Sequence, residues 1–308
     1  MKKLSPESFQ RAKSFIFSKG RILDQRLFEF HFEHGNKDSV IEALEKFQNE
    51  DGGFGNALEP DLRSPLSTVY TTSQGLFLLR KIGASSKEAI VAKAIEYLLN
   101  SYIKERSIWP IIPSEALNSP HAGHWDEIIE KEFDSFFINM RAGLAGHFWH
   151  YSELIPDGFA EKITKNVMTT LLTTPDEKLG WIFDLWSYLG LMGTKNLPEN
   201  HRNEILNKLR KVIPGKVEKN PEKWTMMSVS PLNMAPTPDS PIVSVIDPEL
   251  IQQNLDYDID QQLEDGIWAL DWSWEQDDPE AWKVAEKEWK AHLAIGKLQT
   301  LQAYERIV

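Results

Sequence analysis

Apolar residues recur at helical spacing in one segment after another of this chain, and strand-like alternation never persists for more than a few residues. Short turns rich in Gly, Pro, Asn and Asp separate the segments. The clearest pair, 68–83 and 87–102, meets at a Gly-Ala-Ser-Ser turn. The pattern therefore predicts an all-α protein of about twelve helices in consecutive hairpins.

Further helices are predicted from the same periodicity and from start and stop signals, such as Ser5-Pro6-Glu7 before the first helix and Gly20 after it. They are expected at 5–20, 22–34, from Asp38 onward, 135–154, 158–173, 177–192, 199–213, 248–263, 279–293 and 294–306. The segment 221–242 carries five prolines and is not expected to form a continuous helix.

No composition shift or Gly/Ser-rich linker divides the 308 residues, so we expect a single domain spanning 1–308. Helix pairs with short loops can close into a double ring, in which outer helices cover inner helices around a central cavity. The same pairs can also stack into an open solenoid. Periodicity alone leaves both arrangements open.

The charge and composition of the chain exclude several classes of function. A net charge of −12 argues against nucleic acid or an anionic membrane as a partner, because binding phosphate groups needs basic clusters. No stretch is long and apolar enough for a membrane span, and the start lacks the apolar core of a secretory signal, so we expect a cytoplasmic protein. Without cysteine, a metal would need His, Asp and Glu. We assign no metal ligand, and the sequence identifies neither a cofactor nor an oligomeric state.

One run of fifteen residues, NEDGGFGNALEPDLR at 49–63, interrupts the helical pattern. An echo of it, QQLEDGIWAL at 261–270, also places a Gln before an Asp-Gly pair and an aromatic residue shortly after. Self-similarity of this kind is typical of stacked helix-pair repeats.

The segment from Gln48 through Asp51-Gly52-Gly53-Phe54-Gly55 to a helix beginning at Thr68 resembles the repeat of the terpenoid cyclase and protein prenyltransferase superfamily. The runs NALEPDLR, SPHAGHW and APTPDSP are similar to segments of a bacterial branch of that superfamily. The resemblance implies an α/α-toroid, the closed form of the double ring, with the loop at the mouth of the central cavity.

The chain departs from the motifs that carry the known activities of this superfamily. DYDID at 256–260 lacks the adjacent acids of the Asp-x-Asp-Asp proton donor, and Ala281 stands where a magnesium-binding Asp-Asp-x-x-Asp run needs an acid. The zinc site of protein prenyltransferases needs a cysteine. The resemblance therefore implies a fold but no particular reaction.

The glycines of the loop have a structural interpretation, because glycine allows tight turns between one helix and the next. Phe54 is expected to fill the gap between adjacent hairpins, while Gln48 and Asp51 bond to free helix ends.

Glu59, Asp61 and Arg63 are harder to explain as turn residues. One interpretation is a solvated loop with a weak Asp61–Arg63 pair. The other is a catalytic acid or base, Glu59 or Asp61, held in place by Arg63, which also contributes to substrate binding.

The remaining candidates lie downstream. His121 is a third catalytic candidate, in the Pro- and Gly-containing loop NSPHAGHW, and Trp125 of the same loop is a candidate for substrate binding. Asn139 and Arg141, at the start of a segment rich in small residues and aromatics, are further candidates for substrate binding. His147 is expected to be buried and hydrogen-bonded, although His147, His150 and Glu153 have a spacing that could reach one metal ion.

Three functions remain open at this point, and whether the chain is an enzyme is not decided. The favoured one is binding of an apolar, isoprenoid-like small molecule in a central cavity. The second is a carbohydrate-active helical-barrel enzyme, with Glu59 and Asp61 as paired carboxylates. The third is a non-catalytic toroid that binds another protein. Trp268, Trp272, Trp274, Trp282 and Trp289 can serve as wedges between hairpins or as a stacking surface for a ligand.

Overall fold

A computed structural model describes the backbone of residues 1–131 and 134–308, and the side chains outside 129–139. Within these residues the chain forms thirteen α-helices and no β-strand. The first seven helices are α1 (Pro6–Lys19), α2 (Ile22–Phe32), α3 (Lys37–Leu44), α4 (Val69–Lys81), α5 (Ala89–Asn100), α6 (His124–Lys131) and α7 (Asp134–His150). The others are α8 (Phe159–Thr173), α9 (Ile182–Met192), α10 (Glu199–Val212), α11 (Pro231–Met234), α12 (Pro248–Asp260) and α13 (Pro279–Ala303). The prediction of an all-α protein is confirmed.

The C-terminal helix differs from the prediction of two helices at 279–293 and 294–306. One helix, α13, runs through Gly296 without a break. Its buried stripe continues across that residue with Ala291, Ala294, Ile295 and Leu298. A glycine inside a helix costs about 1 kcal/mol, which the continuous buried face outweighs.

Two other boundaries also differ. The segment 121–125, expected to be a loop, leads directly into α6, which begins at His124 and buries Trp125 and Ile128 on one side. Helix α9 begins at Ile182 and not near 177, because Lys178 and Leu179 donate backbone hydrogen bonds to Pro175 in a separate turn.

The two ends of the chain meet. The backbone N–H of Leu4 donates to the carbonyl of Arg306 at 2.7 Å, and that of Val308 donates to Leu4 at 3.2 Å. Arg306 is almost fully buried and pairs with Asp256 of α12 at 2.6 Å. Helix α13 packs against both α1 and α2. A closed ring of helices requires such a contact between its first and last members, and the toroid stays a prediction.

The two echoed segments adopt the same local structure. The side-chain amide of Gln48 donates to the carbonyl of Gly52 at 2.9 Å, and that of Gln262 donates to Gly266 at 2.7 Å. Both glycines have left-handed backbones, with φ of 87° and 88°. A Cβ on Gly52 would lie 2.4 Å from the Lys93 carbonyl oxygen, and one on Gly266 would lie 2.3 Å from the Ala12 nitrogen. Each glycine therefore lets a loop press onto a neighbouring helix, as the structural interpretation predicted.

Within the described ranges, no helix combines the length and the apolar character that crossing a membrane demands.

Candidate active site

The acidic loop and the His121 segment, far apart in the sequence, pair through their backbones. The N–H of Arg63 donates to the Pro120 carbonyl at 3.0 Å, and the N–H of Ala122 donates to the Asp61 carbonyl at 2.9 Å. These bonds place Leu62 opposite His121 in an isolated antiparallel bridge. Two segments that the sequence marked separately as candidates thus form one structural unit.

Asp61 is 5% exposed, and its carboxylate accepts hydrogen bonds from three indoles. Trp274 and Trp289 donate to Oδ1 at 2.6 and 2.8 Å, and Trp272 donates to Oδ2 at 3.1 Å. An indole N–H can only donate, and an ionised carboxylate can only accept. These three indole donors, called the indole cage below, therefore fit the ionised form of Asp61. The interpretation of 59–63 as a solvated loop is wrong.

The tryptophans of this cage come from the C-terminal part of the chain. Trp272 and Trp274 precede α13, and Trp289 lies within it. Trp272 and Trp289 meet edge to face with ring centroids 5.4 Å apart, and Trp274 meets Trp282 at 5.6 Å. The sequence suggested wedges or stacking surfaces for these rings, but not N–H donors to Asp61. The sequence signal that could have indicated this role is the high number of tryptophans near α13, since a buried Asp61 needs hydrogen-bond donors.

Glu59 is even more deeply buried, at 2% exposed. Its Oε2 accepts a 2.6 Å bond from the Gln74 amide on α4, and its Oε1 lies 3.3 Å from the backbone N–H of Asp61. Burial first and the neighbouring Asp61 charge second raise the pKa of Glu59 to about 8, against the opposing effects of these bonds and of Arg21. Glu59 is therefore mostly protonated at neutral pH.

Gln74 suits a protonated Glu59 as well as an ionised one. The oxygen and nitrogen of a Gln amide can exchange places, so Gln74 can either donate to the carboxylate or accept its O–H. Sequence reasoning missed Gln74, because nothing in the helical pattern of α4 distinguishes it from any solvent-facing polar residue.

Arg21, at the start of α2, holds the loop just before Glu59. Its guanidinium donates to the Leu58 carbonyl at 2.9 Å and to both oxygens of Asp24 at 2.9 and 3.1 Å. Burial alone would raise the pKa of Asp24, but the charge and hydrogen bonds of Arg21, together with the nearby His292 ring, lower it to about 2. Arg21 is a positioning residue that the sequence did not indicate.

Arg63 does not hold Asp61 or Glu59 in place, contrary to the prediction. Its guanidinium pairs with Glu288 of α13 at 2.8 Å, with both side chains largely buried. The pair links the acidic loop to the same helix that supplies Trp289. Asp61 has no need of Arg63, since its indole donors already surround it.

His121 and Trp125 lie next to the carboxyl pair but make their side-chain contacts elsewhere. The ring nitrogens of His121 lie 2.7 Å from the Ser119 carbonyl and 3.2 Å from the Asp126 carboxylate. Trp125 is buried and meets Tyr70 of α4 edge to face, at 4.8 Å between ring centroids. Burial and the charges of Glu59 and Asp61 raise the pKa of Tyr70 well above its usual value, which places Tyr70 beside the carboxyl pair.

Three further residues, Arg141, Asn139 and His147, are also candidates from the sequence. Arg141, on α7, lies close enough to Tyr188 of α9 for its charge to act on the pKa of that phenol. The side chain of Asn139 lies outside the described residues. His147 is buried as predicted, and its Nε2 lies 3.0 Å from the Ser73 hydroxyl. In the part of the chain that the structure covers, no three His, Asp or Glu side chains form a metal-binding group.

The carboxyl pair is buried, but the side chains around it reach the surface. Tyr70, Gln74, Trp272 and Trp289 are all partly exposed. A separate surface groove of about 750 Å³ runs along α1 and contains none of these residues. The arrangement is thus a buried acid with an aromatic rim, suited to transferring a proton to a molecule that lies against the rings.

Comparisons with family models and with curated protein sequences give no match to this chain.

Proposed function

We propose that the chain binds a small molecule with a large apolar surface, of isoprenoid-like character, against the rim of Tyr70, Trp272 and Trp289, and that Glu59 donates a proton to it. The observation that carries the proposal is the buried carboxyl pair, in which Glu59 has a pKa raised to about 8 beside an Asp61 caged by indole donors. A carboxyl group protonated at neutral pH, surrounded by rings, is an acid placed in an apolar setting.

The neighbours of Glu59 favour a reaction that develops positive charge on an apolar substrate. Asp61 supplies negative charge, because both of its oxygens accept hydrogen bonds from indole N–H groups, an arrangement that suits a carboxylate. The electron-rich faces of the surrounding rings attract cations. Proton transfer breaks the O–H bond of Glu59 and leaves a carboxylate. This carboxylate and Asp61 would together stabilise the positive charge that forms on the substrate.

The geometry supports the carbohydrate-active alternative less well. A pair of glycosidase carboxylates needs both members free, one as acid and the other as base or nucleophile. Asp61 accepts three indole hydrogen bonds, so its lone pairs are largely engaged. No contact of the carboxyl pair points to the third function, a non-catalytic protein-binding toroid.

Mass spectrometry of small molecules extracted from the purified protein tests the proposal. We expect an apolar species with the wild-type protein and with Glu50→Gln, a matched control at an exposed position. Trp272→Ala should lose most of that species, because it removes part of the rim. Glu59→Gln should retain it but shift it to an unconverted form, because the amide keeps the shape and lacks the acidic proton.

A wild-type protein that carries no apolar species, even after incubation with an isoprenoid mixture, would contradict the binding function. Identical species in the wild-type protein and Glu59→Gln would contradict the role of Glu59 as proton donor.

A further inference from the structure

A second polar group lies on α4 beyond the carboxyl pair. The Ser73 hydroxyl lies 3.0 Å from Nε2 of His147 on α7. On the next turns, Arg80 donates from Nη2 to the Thr194 hydroxyl at 2.8 Å, and its Nη1 lies 3.5 Å from Nδ1 of His147. Ser73 and Arg80 are partly exposed, whereas His147 and Thr194 are buried. The group therefore has a buried side and an accessible side.

The charge of Arg80 has no acidic partner among the described residues. Burial lowers the pKa of Arg80, and only Tyr151, which is not an acid at neutral pH, opposes that effect. The other well-buried arginines each pair with a carboxylate, Arg21 with Asp24, Arg63 with Glu288 and Arg306 with Asp256. A partly buried cation without a counter-ion is costly.

The surroundings of Arg80 add to its positive charge. Burial has the largest effect in lowering the pKa of His150, and the charges of Arg80 and Lys195 lower it further. Only the charge of Glu153 raises it. In a chain with a net charge of −12, Arg80 and Lys195 thus place positive charge around His150.

The contacts of Arg80 within the protein leave part of its guanidinium unused. Its bonds to Thr194 and to the Gly190 carbonyl, the latter at 3.5 Å, help to cap the C-terminal end of α9. A guanidinium has five N–H groups, and Arg80 makes three hydrogen bonds. Among the described residues, its remaining N–H groups have no acceptor.

Helix α7 leaves room for these side chains. A Cβ on Gly146 would lie 3.0 Å from Nη1 of Arg80, so a larger residue there would push the guanidinium aside. A Cβ on Gly143 would lie 3.9 Å from the Ser73 hydroxyl, so no side chain covers Ser73 from that direction.

We infer that Arg80, Ser73 and His147 bind the carboxylate or phosphate group of a small molecule. Arg80 supplies the charge, and the Ser73 hydroxyl supplies a neutral donor. His147, held neutral by burial and by Arg80, orients that hydroxyl. Ser73 directly precedes Gln74, and Arg80 lies about 9 Å further along α4, since each helical residue rises 1.5 Å. It does not depend on Glu59 being a proton donor.

Isothermal titration calorimetry with sodium phosphate and, separately, with sodium acetate tests this site at fixed ionic strength. We expect the wild-type protein and Arg210→Gln, a control at an exposed arginine, to bind at least one of the two anions equally well. Arg80→Gln should weaken that binding about tenfold or more, and Ser73→Ala should weaken it by a smaller factor, because a charged donor contributes more than a neutral one. Preference for phosphate or for acetate identifies the class of anion.

Nuclear magnetic resonance of the histidine side chains tests the site in the wild-type protein, so the result does not depend on whether an Arg80 variant folds. The same anion should shift the ring signals of His147, assigned by their loss in His147→Gln. If neither anion binds, or if the His147 signals stay unchanged on binding, the inference is wrong and Arg80 serves only to cap α9. Equal binding by Arg80→Gln and Arg210→Gln would overturn it as well.

Discussion

The indole N–H of Trp274 donates a 2.6 Å hydrogen bond to the carboxylate of Asp61, across 213 residues of sequence. Trp289 donates to the same oxygen from 228 residues away. These bonds tie the loop after α3 to the C-terminal helix, and they make the burial of a negative charge possible at that point of the fold.

Replacing Asp61 with Asn should destabilise the protein strongly. The amide offers one accepting oxygen and turns an NH₂ group toward the indole donors, so buried N–H groups lose their acceptor. We expect a loss of about 2–4 kcal/mol in the free energy of unfolding. Urea denaturation measures it, with Asp239→Asn at an exposed loop position as the control. An equal midpoint for both variants would mean that the indole cage contributes little.

The raised pKa of Glu59 predicts that stability falls as the pH rises. The unfolded chain releases the Glu59 proton near the ordinary glutamate pKa of 4.5, whereas the folded protein holds it to about 8. Between these values the native state binds more protons than the unfolded state, so the contribution of Glu59 is full below 4.5 and is lost by about pH 8. Glu59→Gln should flatten the decline in the unfolding free energy over this range.

Asp184 requires a separate control in that experiment. Burial raises its pKa to about 7, so its contribution is lost over an overlapping pH range. Asp184→Asn should remove a part of the slope that ends at lower pH than the part removed by Glu59→Gln. If Glu59→Gln leaves the slope of the wild-type protein unchanged, Glu59 is ionised in the folded state at neutral pH.

The lowered pKa of Asp24 predicts that the protein loses stability as the pH falls in the acid range. Its pKa in the folded protein is lowered to about 2 from 3.8, so the stability it contributes is present above 3.8 and is lost as the pH falls toward 2. Arg21→Gln removes the cation that lowers this pKa. The variant should therefore unfold at a higher pH than the wild-type protein in an acid titration followed by circular dichroism. Unfolding of both proteins at the same pH would contradict the importance of the pair.

Alanine at Gly52 or at Gly266 should be poorly tolerated. Each new Cβ would meet backbone atoms of a neighbouring helix at 2.4 or 2.3 Å, in addition to the strain of a left-handed residue. Gly83→Ala is the matched control, because Gly83 has a φ of 72° and open space around it. We expect a loss of about 1 kcal/mol at Gly83 and at least twice that at the other two positions. Thermal unfolding of the three variants distinguishes strain alone from strain with a clash.

The helical fold and much of the candidate site could be predicted from the sequence, because both depend on local patterns. The periodicity placed α4 and α5 within a few residues, and the echo of Gln48 and Gly52 in Gln262 and Gly266 marked two equivalent turns. Glu59 and Asp61 stood out because acids around a proline are unusual in a helix-connecting loop.

The partners of those acids could not be predicted, because they depend on tertiary contacts. Nothing local distinguishes Trp289 from a tryptophan that packs between hairpins, or Gln74 from an exposed glutamine. Arg63 illustrates the same limit, since its nearest acid in sequence is Asp61 and its partner in the fold is Glu288. Spacing predicts which residues share a helix face but not which distant segment lies against it.

The distance in sequence between Asp61 and its donors has a consequence for synthesis of the protein. Asp61 is translated 228 residues before Trp289. Until then, Asp61 has no complete set of donors and cannot be buried without cost. Burial of this loop during synthesis therefore has to wait until α13 has been translated.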